Sequence, residues 1–149
     1  MIMEIRIEHY NAELRSQLLK VWEKSVLASH HFLTKEDFFE IKTSLEEYEF
    51  EAITVLCLMV RETVAGFVGL YESKIEMLFL DPDYIGQGLG KQLVEFVTQN
   101  YKVSLVDVNE QNVNAVKFYE KVGFEAYERT DKDDFDKDYP LLRMRLKDA

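Results

Sequence analysis

The 149-residue chain contains one cysteine, two prolines and six glycines. A single cysteine excludes a disulfide framework and any cysteine-based metal cluster. Cys57 lies in the apolar run from Ile53 to Val60, the setting of a buried, inert thiol; a reactive one needs an electropositive, partly exposed site. No apolar stretch approaches bilayer length. The opening Met-Ile-Met-Glu-Ile-Arg has no leader-like apolar region. The expectation is a cytoplasmic protein with no membrane partner. Basic residues are outnumbered, 18 Lys and Arg against 28 Asp and Glu, for a net charge of −10. A nucleic-acid binder normally carries a basic footprint, so nucleic acid is not an expected partner. The acid surplus suits a cationic substrate such as an amine, and serves solubility equally well. Repeats, linkers and low-complexity segments are missing as well. With 47% apolar residues the composition supports one domain over residues 1–149, as monomer or homodimer.

What is present reads as a string of short elements. Glu4 to Glu8 alternates as a strand, and Asn11 is a fair N-cap for a helix through about Ala28. Thr34 followed by Asp37 resembles a loose capping box that opens a second helix to about Glu47. Ser29-His-His-Phe-Leu33 is a loop between them. Strands follow over Ile53 to Val60, Val64 to Tyr71 and Ile75 to Leu80, then a helix from Leu89 to Tyr101. Val103 to Val108 reads as a buried strand, and Asn112 to Val122 as a helix stopped by Gly123. Phe124 to Arg129 and Leu141 to Leu146 are closing strands, joined by a charged, solvated connection over Asp131 to Asp138. The order β-α-α-β-β-β-α-β-α-β-β predicts an α/β fold. Its sheet is mixed, with helices on both faces and a parallel strand pair in the middle.

Three of the glycines fall within Leu80-Asp-Pro-Asp-Tyr-Ile-Gly-Gln-Gly-Leu-Gly-Lys91. A glycine turn that feeds a helix bares backbone N–H groups at the positive end of the helix dipole, and such a place binds phosphate. The spacing does not fit a Walker loop: Gly86 and Gly90 enclose three residues, and Gln92 follows Lys91 where a hydroxyl is needed. It does not fit a dinucleotide fingerprint either, since several elements precede it. A plain β-to-α turn is the competing structural explanation. The segment Asn112-Val-Asn-Ala-Val-Lys-Phe-Tyr-Glu-Lys-Val-Gly-Phe124 comes directly after the buried strand. Asn112 and Tyr119 are seven residues apart, about two helical turns, and share a face. Tyr119 is placed to donate a proton. Phe118, about 100° round the helix, is expected to take the core packing.

Together the two segments resemble the GNAT N-acetyltransferase superfamily. The family's pyrophosphate loop matches Ile85-Gly-Gln-Gly-Leu-Gly90 in its glycines, and its Asn-x-x-Ala-x-x-Phe-Tyr-Glu-Lys-x-Gly-Phe segment matches Asn112 through Phe124. The Trp22 to Leu33 stretch is similar to small bacterial GNAT proteins of undefined substrate. The resemblance implies acetyl-CoA as donor and a primary amine, of a small molecule or a protein, as acceptor. It implies that main-chain groups of Leu78, Phe79 and Leu80 hold the pantetheine arm. Amides of Gly86, Gln87, Gly88, Leu89, Gly90 and Lys91 would hold the pyrophosphate, and Asn112 would contact the arm. Ile85 departs from the pattern, which usually has Arg or Gln there.

The resemblance makes Tyr119 the general acid and Glu76 the first candidate for the base. Asp107 is a second candidate, and a solvent-facing strand residue is the plainer explanation of Glu76. His30 and His31 are expected to line the acceptor pocket, with an ordinary loop pair as the alternative. Two adjacent histidines and a distant His9 make no convincing metal site, so no metal is expected. Cys57 falls too early to match an acetyl-enzyme site, so direct transfer is expected. An acyl-CoA-binding or sensing module without turnover is the alternative function.

Overall fold

The computed structural model describes residues 4–147, so the opening Met-Ile-Met that was read for a leader lies outside the described residues. The chain forms β1 (Ile5–His9), α1 (Arg15–Ser29), α2 (Lys35–Glu46), β2 (Thr54–Val60), β3 (Thr63–Tyr71) and β4 (Lys74–Leu80). It continues through α3 (Leu89–Asn100), β5 (Leu105–Asn109), α4 (Val113–Lys121), β6 (Phe124–Thr130) and β7 (Leu141–Leu146). The element order is the one expected from sequence. The seven strands form one sheet in the order β1-β2-β3-β4-β5-β7-β6. Only β4 and β5 run parallel; all other neighbours are antiparallel.

Side chains of the central strands alternate between two cores. Val55, Cys57, Met59 and Phe67 pack under α1 with Leu18, Trp22 and Val26. Leu56, Leu58, Ala65 and Val68 pack under α3 and α4 with Leu93, Val97 and Tyr119. Both faces of β2 and β3 are therefore covered, which is why these strands read as nearly unbroken apolar runs.

The helix starts follow capping chemistry. Asn11 Oδ1 accepts from the Glu13 amide at 2.9 Å and opens a 3-10 turn that runs into α1. Thr34 Oγ1 accepts from the Asp37 amide at 3.0 Å. The second half of the capping box does not form. Instead the Asp37 carboxylate accepts from the Tyr139 hydroxyl and from Lys137 Nζ, the latter at 2.9 Å. The segment between β6 and β7 is thereby fastened to α2, while most of its side chains from Asp131 to Asp138 stay exposed, so the solvated connection expected from sequence is also a tethered one. Lys132 pairs locally with Asp136 and Asp138, whereas Lys137 reaches Asp37 and Glu40 on α2, partners that local composition does not reveal.

Two features of β4 shape the region around it. First, β4 pairs with β5 only through Lys74–Leu105 and Ile75–Val106, and the strands part beyond. Second, Met77 faces Gly69 on β3 while Ile75 faces Leu70, so Glu76 is an extra residue, a β-bulge. The bulge reverses the alternation: Ile75 shares a core with Leu78 and Leu80, whereas Met77 and Phe79 join the other. Gly66 lets β3 pass close to the end of β4. A Cβ there would be 2.9 Å from the Phe79 carbonyl oxygen and 2.7 Å from Leu80 Cδ1. Gly66→Ala is expected to push the Phe79–Leu80 backbone away from β3 and lower stability by about 1–3 kcal/mol. Urea unfolding midpoints of the two proteins measure this, and an unchanged midpoint would show that the strand end yields freely.

Candidate active site

The end of β4 leads through Asp81 and a 3-10 turn at Pro82–Tyr84 into a glycine loop. Asp81 is buried, accepts from the Asp83 amide at 2.9 Å and is paired with Lys24 Nζ at 2.9 Å. The start of the loop is thus tied to α1. Gly86 (φ 88°) and Gly88 (φ 76°) are left-handed, a conformation that side-chain-bearing residues rarely adopt. Gly88 is the N-cap of α3 and supplies no capping side chain. The first backbone bond into this end runs from the Gln92 amide to the Gly88 carbonyl at 3.1 Å. Among the described residues, none of the amides from Gly86 to Lys91 donates to a protein acceptor. This is a row of bare donors at the positive end of a twelve-residue helix, which suits a diphosphate. Ile85 beside them is 63% exposed and adds no donor. Lys91 is exposed and only loosely paired with Glu95, at 3.7 Å, so it can add a charge.

The open edge of β4 runs alongside this loop. Leu78 and Leu80 pair with Val68 and Gly66 on β3, and among the described residues have no partner on the β5 side. Tyr119 on α4 is 6% exposed, with its ring 5.7 Å from that of Phe124. Burial raises the Tyr119 pKa, so the phenol keeps its proton. The expected division between the two neighbouring aromatics is corrected. Tyr119 lies in the core, while half-buried Phe118 leans toward Gly90, where an added Cβ would meet its ring at 3.5 Å. Both residues are aromatic and adjacent, so periodicity does not rank them. Asn112 Oδ1 accepts from the Ala115 amide at 3.2 Å and caps α4.

On the α1–α2 face of the parted strands lies a cleft of about 410 Å³, within the roughly 300–1,000 Å³ typical of small-ligand sites. Its walls include Trp22, His30, Glu76, Phe79, Asp107 and Phe135. The bulged Glu76 is exposed and forms no ion pair among the described residues. Asp107 is differently placed: its Oδ2 receives Lys74 Nζ at 2.5 Å and Arg143 Nη1 at 2.7 Å. Burial works to lower the Lys74 pKa, but the hydrogen bond and charge of Asp107 outweigh it and the net shift is upward. Asp107 is therefore engaged in holding β4, β5 and β7 together.

His30 borders this cleft, and its Nδ1 is 2.8 Å from Ser29 Oγ. The Ser29 hydroxyl donates to the Ser25 carbonyl at 2.7 Å, so Nδ1 carries the ring hydrogen and Nε2 keeps a lone pair. Burial, helped by the charge of His31, lowers the His30 pKa to about 4, and the ring is neutral at neutral pH. His31 is exposed and lines an adjoining cavity of about 230 Å³, which shares Val26, His30 and Leu33 with the larger cleft. Cys57 is fully buried and its thiol is pushed up to about 12 by burial, which leaves it inert.

Sequence reasoning missed Phe135, Lys137 and Tyr139, which line the outer wall, and the part Asp37 plays in holding the last two. The one available signal was two aromatics inside an otherwise charged loop. Among the described residues no group of three or more His, Cys, Asp or Glu could hold a metal ion, and no helix is long and apolar enough to cross a membrane.

A family model for the acetyltransferase (GNAT) domain matches residues 11–147. The peptidyl-lysine N-acetyltransferase YjaB of Salmonella typhimurium (strain LT2) is 36% identical over 142 residues, covering 95% of this chain and 98% of that protein. Its namesake from Escherichia coli (strain K12) is 37% identical, covering 95% and 97%. The solution structure of apo-form YjaB from Escherichia coli superposes with a TM-score of 0.88 at 34% identity, over 99% of this chain and 100% of that one. The open strand pair and the bare loop amides thus occur on a chain whose nearly full length fits one family: it belongs to the GNAT acetyltransferases and is an N-acetyltransferase.

Proposed function

We propose that the chain transfers an acetyl group directly from acetyl-CoA to the ε-amine of a lysine in a peptide or protein. The carrying observation is the chemistry on the two flanks of the parted strands. Bare amides suited to a diphosphate lie on one flank, and a cleft with an unpaired carboxylate on the other. The relatives named peptidyl-lysine N-acetyltransferase support the choice of lysine. The cleft walls carry Glu40, Glu76, Asp107, Asp133 and Asp134 against Lys74 and Lys137, a balance that favours a cationic acceptor.

When bound, acetyl-CoA supplies the acetyl group and leaves as a thiol. The amides of Gly86 to Lys91 grip the diphosphate, and the open backbone edge at Leu78–Leu80 receives the arm. The missing side-chain donor at Ile85 weakens this grip without removing it, since the main-chain donors remain. A lysine amine has a pKa near ~10.4 and arrives charged. Glu76 attracts it and takes its proton, directly or through water. His30 Nε2, fixed as an acceptor by the Ser29 contact, holds an N–H of the amine. Tyr119 keeps its Oη proton for the departing sulfur. The inert Cys57 supports direct transfer over a covalent acetyl-enzyme.

Thiol release from acetyl-CoA in the presence of a lysine peptide tests the reading. Tyr119→Phe keeps the ring and its packing, and kcat is expected to fall about 100-fold while CoA affinity stays within about threefold. Unchanged turnover would remove the phenol from the mechanism, and wild-type CoA binding without thiol release would mark a binding module. A second expectation concerns pH. Since the folded His30 pKa is about 4, below the ordinary 6.5, the unfolded chain binds more protons between those values. Stability therefore falls as pH drops from about 6.5 to about 4, by up to about 3 kcal/mol. His30→Gln flattens that part of the curve, as read from urea midpoints at several pH values. An NMR titration midpoint for His30 at or above 6.5 would contradict the burial assigned to it.

A further inference from the structure

The mouth of the large cleft carries an aromatic ring that the transfer chemistry does not use. Phe135 is 84% exposed, the most exposed large apolar side chain among the described residues. Its turn is not a loose tip. The Asp133 carboxylate accepts from the amides of Phe135 at 3.0 Å and Lys137 at 2.9 Å. Asp134 is held by Arg143 Nη2 at 3.0 Å, and Lys137 by Asp37 at 2.9 Å. The ring is thus displayed in water by a turn fastened to both β7 and α2. An exposed ring is unfavourable in isolation, and holding it rigidly lowers the entropic cost of packing something against it. Ile41, 38% exposed on α2, lines the same cleft.

Charge narrows the occupant. Lys74 and Lys137 in the cleft wall are already paired, with Asp107 and with Asp37 and Glu40. Glu76 is without an ion-pair partner among the described residues, so the cleft attracts a cation, while Phe135 and Ile41 add exposed apolar surface to the same wall. A small free amine would reach Glu76 and leave that apolar surface wet. A lysine within a peptide brings both parts, an ammonium on a long stem and a neighbouring side chain held outside.

We infer that the cleft takes a lysine whose sequence neighbour is apolar, the ammonium directed toward Glu76 and the neighbouring side chain packed against Phe135 and Ile41. Phe135 is then a specificity-determining residue. This rests on the peptidyl-lysine reading above and adds the flanking residue to it.

The test compares kcat/KM for two peptides that differ only beside the lysine, Leu in one and Gly in the other, with a simple alkyl amine as a third acceptor. Wild type is expected to favour the Leu peptide by about tenfold, the scale of discrimination by one apolar pocket. Phe135→Ala brings the Leu-to-Gly ratio close to one, and Phe135→Leu restores most of it. A ratio that survives in Phe135→Ala, or an equal loss on both peptides, overturns the inference while leaving lysine acetylation standing. A wild type that acetylates the alkyl amine but neither peptide overturns the peptidyl-lysine reading, and this inference with it. Sedimentation that changes from dimer to monomer in Phe135→Ala, with the peptide preference intact, would assign the ring to a second copy of the chain and overturn the inference too.

Discussion

Two residue pairs, Lys74–Leu105 and Ile75–Val106, join β4 to β5, and the candidate site lies where the strands part beyond them. The fork is held at its base by side chains as well as by backbone. Asp107 on β5 takes Lys74 from β4 and Arg143 from β7, so three strands are pinned at the last paired rung. Immediately past it the Glu76 bulge turns β4, while β5 stays paired with β7 on its other edge from Leu105 to Asn109. A bulge intensifies local twist and bends its strand, which is what opening a gap inside a continuous sheet requires. The gap gives an arm of a substrate access to backbone donors and acceptors that a closed sheet would have consumed.

The fork also separates charge. On the loop that leaves β4, helix-end amides without acceptors make a positive, donor-rich place, and the buried Asp81–Lys24 pair holds that loop against α1. In the cleft, carboxylates outnumber ammonium groups and the ammonium groups are already paired. On the function proposed above, an anionic donor and a cationic acceptor approach opposite flanks of one gap. Tyr119 is packed in the core with its proton retained. The overall charge of −10 does not predict this arrangement, because the donor site is built from main-chain dipoles that carry no formal charge.

Much of this was legible in the sequence, for physical reasons that differ by element. Strand order followed from apolar runs and turn residues, and the turn into α3 from glycines that a left-handed backbone demands at Gly86 and Gly88. Thr34 and Asn112 announced helix starts through their own capping chemistry. The Glu76 bulge was not legible, since one inserted residue leaves no mark in an apolar strand until its partner strand is known. The exchange of roles between Phe118 and Tyr119 depended on tertiary packing of two adjacent rings. The segment from Asp131 to Asp138 is largely exposed, as its composition suggests, but its tether to α2 was not legible. Lys137 finds Asp37 across 100 residues of sequence, beyond the range of any local pattern.

The amides from Gly86 to Lys91 carry the central claim, and backbone NMR of the protein titrated with coenzyme A addresses them directly. Their ¹H–¹⁵N signals are expected to move together on binding, along with those of Leu78 to Leu80, while strand β1 stays unperturbed. Saturable binding that leaves the loop amides in place would contradict the account.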